Sequence, residues 1–252
     1  MKNSFIYGIL ALFLVGCVPK KNMVYMQGNL AQNNSAVSTY EPVIQNDDML
    51  YINVNSQDAE ASAPFNLDAS SGSSSASMTF STQKQTYLVD NQGSIDFPVL
   101  GKLHVSGKSV QDLKNILHEK LKSYIKDAVI NVRIVNFKVS VLGEVTKPGV
   151  VKSESQRITL LEALADSGDL TVYGRRDNVL VIREIEGVKT FNRVDITKSD
   201  FINSPFYYLD QNDVVYVEPK QSKLDSAAFG NNVGTIISIV SFGLSIILLA
   251  TK

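Results

Sequence analysis

Tryptophan is absent from this chain, and cysteine and histidine are nearly so, with one Cys and two His in 252 residues. A single cysteine can close no disulfide within the chain, so the fold has to stand on burial alone. With no second thiol, and with His104 and His118 outside any ligand spacing, the sequence offers no metal centre and implies no cofactor. An excess of either charge is lacking too: 24 Lys and Arg oppose 25 Asp and Glu, and the basic residues are scattered. That excludes the electrostatic footprint of a nucleic-acid binder. Gly-x-Ser-x-Gly and Gly-rich phosphate loops are missing, which argues against an enzyme. The nearest approach to an acid and base pair is Asp166 with Asp169, and both fall in a helix-capping turn.

What the chain does have is an apolar run at each end. At the start, Lys2 supplies a positive region, Phe5 to Val15 an apolar one, and Leu14-Val15-Gly16-Cys17 a small-residue cleavage site. This reads as a secretory signal over residues 1–16. The only cysteine stands where the lipobox of bacterial lipoproteins requires one, so Cys17 is the expected lipid attachment site. Residues 17–39 follow as a polar tether, in which Met23 to Met26 is the one short apolar patch and a candidate docking segment.

Between the ends, the pattern predicts an α+β body. "DDMLYINV" alternates as a strand, and a Ser-rich stretch at 68–79 reads as a projecting loop. "QTYLVDNQGSIDFPVLGKLHVSG" reads as two strands around a hairpin turn at Asp90 to Gly93. A helix from Ser109, with apolar residues from Val110 to Tyr124 along one side, then leads into the strand "AVINVRIV". A second unit begins near Phe137. It comprises a strand, the turn Lys147-Pro148-Gly149, a return strand, a short helix boxed by Thr159 and Glu162, two strands about Glu186-Gly187, and a closing "DVVYVEP". One short helix on a small mixed sheet is the outline of a β-grasp domain. "QNDDMLYINV" and "QNDVVYVEP" echo one another as turns that launch strands, and chance recurrence of a common turn explains the match equally well.

Several phrases together resemble the polysaccharide biosynthesis and export family, the outer-membrane capsule translocons of the Wza type. "YEPVIQNDDMLYINV" matches the family's opening. "YLVDNQGSIDFPVLGKLHVSG" matches its core signature, with Gly93, Pro98 and Gly101 in register. Gly143-Glu144-Val145-Thr146-Lys147-Pro148-Gly149 matches the start of its soluble-ligand-binding β-grasp (SLBB) domain. One departure is that Asp169 stands where the family carries a second glycine after the short helix. The resemblance implies an export domain at 40–136, one SLBB domain at 137–219, a linker at 220–232 and a transmembrane helix at 233–250. It also implies a non-catalytic outer-membrane lipoprotein that handles capsular or exopolysaccharide. Such a protein assembles as a homo-oligomeric ring, by resemblance an octamer, and works with an inner-membrane polysaccharide co-polymerase.

In the terminal run, Asn231, Thr235, Ser238, Ser241 and Ser245 recur at steps of three, four and seven. Such a stripe fits contact with copies of the helix or with a watery lumen. Serines bonding the carbonyl one turn back, in a plain anchor, are the competing explanation. For sugar contact, "TVYGRRDN" offers Tyr173 to stack on a ring, with Arg175 and Arg176 to pair acidic groups. An ordinary charged surface loop is the alternative there. Gly93, Pro98, Gly101, Gly143, Pro148 and Gly149 are read as turn-formers.

Overall fold

The computed structural model describes residues 23–28, 40–67, 85–185, 187–229 and 232–250. The signal segment, Cys17, the Ser-rich stretch 68–79 and Asn231 lie outside the described residues.

Strict alternation makes β1 (Met49–Asn55) a half-buried strand, with Leu50, Ile52 and Val54 inward. After it come a single-turn helix α1 (Ala59–Ser62), β2 (Tyr87–Leu88), β3 (Ser94–Phe97), β4 (Gly101–His104), α2 (Val110–Leu121) and β5 (Val129–Ile134). β1 is the centre of a three-stranded sheet, antiparallel to β2 on one side and to β5 on the other. A capping box between Ser109 and Asp112 starts α2, which buries Val110, Leu113, Leu117 and Leu121.

The expected hairpin is displaced. The turn at Gly93 does not join paired strands, because β2 pairs with β1 while β3 pairs with β4. The hairpin instead closes through Pro98, Val99 and Leu100, with Val99 and Gly101 both at positive φ. Gly93 is needed for another reason, since a Cβ there would stand 2.5 Å from that of Ser106.

The second unit is one five-stranded mixed sheet with a helix on one face. Its strands are β6 (Lys138–Gly143), β7 (Gly149–Lys152), β9 (Gly174–Ile185), β10 (Val188–Val194) and β12 (Val214–Pro219). The order is β10-β9-β12-β6-β7, and β12 runs parallel to β6. Short β8 (Ile158–Thr159) pairs with β11 (Tyr208–Leu209) beside the helix α3 (Leu160–Asp166), whose capping box is Thr159 with Glu162. Beyond β12 follow α4 (Gln221–Phe229) and α5 (Asn232–Ala250).

The sequence echo is a structural repeat, shifted by one residue from the letter match. Asp47 and Asn212 both adopt φ near +64° (65° and 64°), and each precedes a buried aspartate that opens a strand. Asp48 Oδ2 accepts from the Gln45 amide at 2.8 Å, and Asp213 Oδ2 accepts from the Asp210 amide at 2.8 Å. The same turn, in which an aspartate accepts from the amide three residues before it, therefore launches β1 and β12. The two turns also meet the junction between the units. Asn136 bonds the Met49 amide and the Asp47 carbonyl, while Gln211 bonds the Asn136 carbonyl and the Lys138 amide.

The two aspartates differ in their partners. Asp213 faces Arg183, whose guanidinium also reaches Asp210 at 2.8 Å and the Tyr208 carbonyl at 3.0 Å. Asp48 is fully buried, and its Oδ1 has no hydrogen-bond partner among the described residues. Burial, opposed by the Gln45 amide, pushes its carboxyl up to about 6. An acid whose folded pKa is raised contributes stability at low pH, and that contribution is lost as pH climbs through the folded value. Between roughly pH 4 and 7 the protein is thus expected to lose stability from this group, and Asp48→Asn should flatten that slope in urea titrations. Equal slopes for the two proteins would refute the assignment.

Candidate functional site

Gly143 ends β6 at φ +92°, and a Cβ on it would lie 2.1 Å from the Val217 carbonyl oxygen. Glycine is what lets the closing strand pass this close, and the next residue, Glu144, then turns inward and is only 8% exposed. Its carboxylate accepts hydrogen bonds from Lys223 Nζ and from Thr171 Oγ1, the latter at 2.6 Å. The Lys223 bond first, and Thr171 second, hold its carboxyl below the usual range. Nearby, the Lys220 amide donates to the Tyr173 carbonyl at 2.6 Å and Lys220 Nζ to the Val172 carbonyl at 3.0 Å. The chain leaving β12 for α4 is therefore pinned to residues 171–173.

The other end of the chain is fastened to the same loop. Tyr25 donates its hydroxyl to Asp169 Oδ1, and its ring lies under the Arg176 guanidinium at 5.2 Å. Met26 and Gln27 donate their amides to the carbonyls of Ile196 and Thr197, and Ser199 returns a bond to the Gln27 carbonyl. Burial, and next the Asp169 bond, push the Tyr25 hydroxyl above the ordinary tyrosine range. Asp169 also explains the departure from the family's glycine. Its φ is +64°, which costs a non-glycine residue about 1 kcal/mol. In return its carboxylate accepts from both Tyr25 and the Leu170 amide, as no glycine could.

The residues named for sugar contact are thereby placed. Arg175 and Arg176 stand in β9 and not in a loop. Arg176 is 6% exposed and donates to the carbonyls of Leu170, Thr171 and Gly174, so its guanidinium is committed within the chain. Arg175 pairs with Asp177 and Glu218, both at 3.3 Å. Tyr173 is exposed. Glu144 and Lys223 are the residues that sequence reasoning passed over, whereas Tyr25 lies in the Met23 to Met26 patch named as a docking segment. For Glu144 the signal was a charge set between a turn glycine and a valine in the Gly143-Glu144-Val145 phrase. Asp166 is exposed and Asp169 is held by Tyr25.

The terminal run forms a helix, α5, of 19 residues. Among the described residues, no helix is long and apolar enough to cross a membrane. The spanning role expected for 233–250 is therefore unsupported. At ~1.5 Å per residue, a helix of this length reaches only about 28 Å, against a hydrocarbon core of about 30 Å. Within it Ile237, Ile239, Phe242 and Ile246 are all more than half exposed. Thr235, Ser238, Ser241 and Ser245 are exposed as well. Ser238 donates to the Gly234 carbonyl at 2.8 Å and Ser245 to the Ser241 carbonyl at 2.9 Å, so these two hydroxyls satisfy their protons within the helix.

Residues 36–135 match the family model described as polysaccharide biosynthesis/export protein, and residues 137–217 match that of the SLBB domain. The chain thus carries a stretch similar to the polysaccharide biosynthesis/export family followed by one similar to the SLBB domain. It is similar to the EPS I polysaccharide export outer membrane protein EpsA of Ralstonia solanacearum, with 27% identity over 147 residues. That match takes in 57% of this chain and 38% of that protein. The protein of the same name from Ralstonia nicotianae is 30% identical over 101 residues, covering 38% of this chain and 26% of its own length. The chain thus spans well under half the length of the curated relatives it matches. Glu144, Thr171 and Asp169 lie within the SLBB match, and Lys223 and Tyr25 reach them from outside it on either side of the chain.

Replacing Glu144→Gln removes the charge opposite Lys223, and amide exchange across 220–229 should quicken by roughly tenfold while β9 and β12 stay protected. In the unaltered protein the same protection should persist above the ordinary carboxylate range. It should fade as pH falls through the depressed folded value of Glu144, because a lowered pKa stabilises only the ionised state. Exchange in 220–229 that ignores both changes would contradict the clamp.

Proposed function

We propose that the protein is a non-catalytic outer-membrane lipoprotein that oligomerises into a conduit for capsular or exopolysaccharide. The observation that carries this reading is the succession of an export domain, an SLBB domain and an apolar helix that leaves the body with its large side chains uncovered. Cys17 is the acylated anchor. The two domains stack as periplasmic rings, and the terminal helices gather copies of the chain at the outer membrane through their apolar faces. An inner-membrane co-polymerase delivers the glycan to the periplasmic end. A near-neutral interior suits such cargo, because a moving sugar chain needs many weak, exchangeable hydrogen bonds and no deep site that would hold it. The names of the relatives, which are export proteins of the outer membrane, support the same reading.

A second reading is a monomeric ligand-binding lipoprotein that uses the SLBB domain as a sensor, with the tail as a further anchor. The back-bonded Ser238 and Ser245 favour it, since their protons are satisfied without neighbours. Deleting residues 232–252, or changing Ser241→Leu together with Ser245→Leu, should abolish surface polysaccharide at unchanged protein level. Unchanged export in both strains would overturn the conduit. Particle mass in mild detergent separates the two readings, because one requires a large assembly and the other a single copy.

A further inference from the structure

The two segments that meet at the Glu144 clamp are the ones that lead to the apolar runs of the sequence. Tyr25 stands eight residues after Cys17, and α4, which carries Lys223, ends three residues before α5 begins. Eight residues of chain, fully extended, reach about 28 Å at most. Both segments lie at the end of the sheet where Gly143 faces Val217, whereas the first domain adjoins the other end, at Lys138.

At the clamp end stands a turn of unusual composition. The Gly174 amide donates to the Thr171 carbonyl at 3.0 Å, so residues 171–174 form a β-turn with Val172 and Tyr173 at its two corners. Gly, Pro, Asn, Asp and Ser dominate turns, because each suits the backbone there and none gives up burial. Val172 is 58% and Tyr173 45% exposed, so the core does not explain either. The turn is fixed in place all the same. Lys220 bonds both corner carbonyls, Thr171 holds Glu144, and Arg176 donates to the Thr171 carbonyl. Beside it Val24 and Leu224 are exposed as well.

We infer that this end of the SLBB domain, led by Val172 and Tyr173, is a lipid-contacting surface that rests on the headgroup layer of the membrane to which the chain is attached. The inference rests on the membrane-attached reading above and specifies which surface the membrane meets.

The chemistry of the turn suits that layer. A tyrosine ring is apolar in its body and polar at its tip, which is why such rings collect at the boundary between headgroups and acyl chains. Charge does not carry the contact. Lys223 is matched by Glu144 and Arg175 by Asp177, while the neighbouring Lys147 and Lys220 are offset by Asp166 and Asp225. Attraction through apolar side chains is what remains. Two inserted residues hold a free protein only weakly, since binding grows with the apolar area buried in the interface. The contact therefore depends on the tether at Cys17 and on α5, whose uncovered Ile237, Ile239, Phe242 and Ile246 keep the turn concentrated at the membrane.

Because the chain has no tryptophan, a single introduced one reports without background. The full acylated chain is reconstituted in vesicles of phosphatidylethanolamine and phosphatidylglycerol, and tryptophan emission is read as lipid brominated high on the acyl chain replaces ordinary lipid. Val172→Trp and Tyr173→Trp should each lose at least about half of their emission, and Leu88→Trp, at an equally exposed site of the first domain, less than about a tenth. All three variants should melt with the unaltered chain, as expected of exposed sites. The quenching should persist when a zwitterionic lipid replaces phosphatidylglycerol. Vesicle-bound protein whose turn tryptophans go unquenched overturns the inference and leaves the membrane attachment intact. Equal quenching at Leu88→Trp, or quenching that vanishes with the anionic lipid, overturns it too. A chain that does not float with the vesicles overturns both readings. Unquenched Tyr173→Trp whose emission responds to added glycan would give the turn to sugar and overturn the inference.

Discussion

A carboxylate removed from water must be met by charge or by hydrogen bonds, and Glu144 is met by both. Its carboxylate accepts from the lysine of the departing helix and from a threonine of the loop after α3, while its backbone amide donates to the Val217 carbonyl of the closing strand that Gly143 admits. Because the loop that supplies Thr171 also supplies Asp169 and leads directly into β9 with Arg176, the N-terminal strap with Tyr25 settles onto the same few residues. One buried acid thus fixes the course of both ends of the described body.

That arrangement bears on how force and position pass through the protein. The segment after Cys17 and the helix before the terminal apolar run are both joined to the SLBB domain, and the first domain touches neither of these attachments through the clamp. The first domain is held from the opposite side, by Asn136 and Gln211 at the junction and by the turns at Asp48 and Asp213. The five-stranded sheet thus holds both segments near one end of β6 and β12 and the first domain near the other, through a polar seam.

Much of this was legible in the sequence wherever the physics is local. Ser109 with Asp112 and Thr159 with Glu162 mark helix starts because the cap and its partner lie three residues apart. Alternation found β1 and β5 for the same reason. The Gly93 turn was misread as a hairpin because turn chemistry says where a chain bends but not which strands it then joins. Arg176 was read as available to acidic sugar, since a pair of arginines beside a tyrosine gives no sign that three carbonyls will absorb one of them. The clamp itself had no local signature: Tyr25 and Asp169 are 144 residues apart. The apolar patch at Met23 to Met26 marked a docking segment without saying where it docks, and Asp169 in place of a glycine registered as a missing feature when it was in fact a bond.

The convergence of both chain ends on one loop is open to a direct distance measurement. Spin labels placed through Val24→Cys and Leu224→Cys, both at exposed positions, would be followed by pulsed dipolar spectroscopy in the full-length protein in membranes. One narrow distance distribution, broadened by Glu144→Gln, is the predicted result. A broad distribution that the substitution leaves unchanged would mean that the two ends move independently and that the clamp does not hold them.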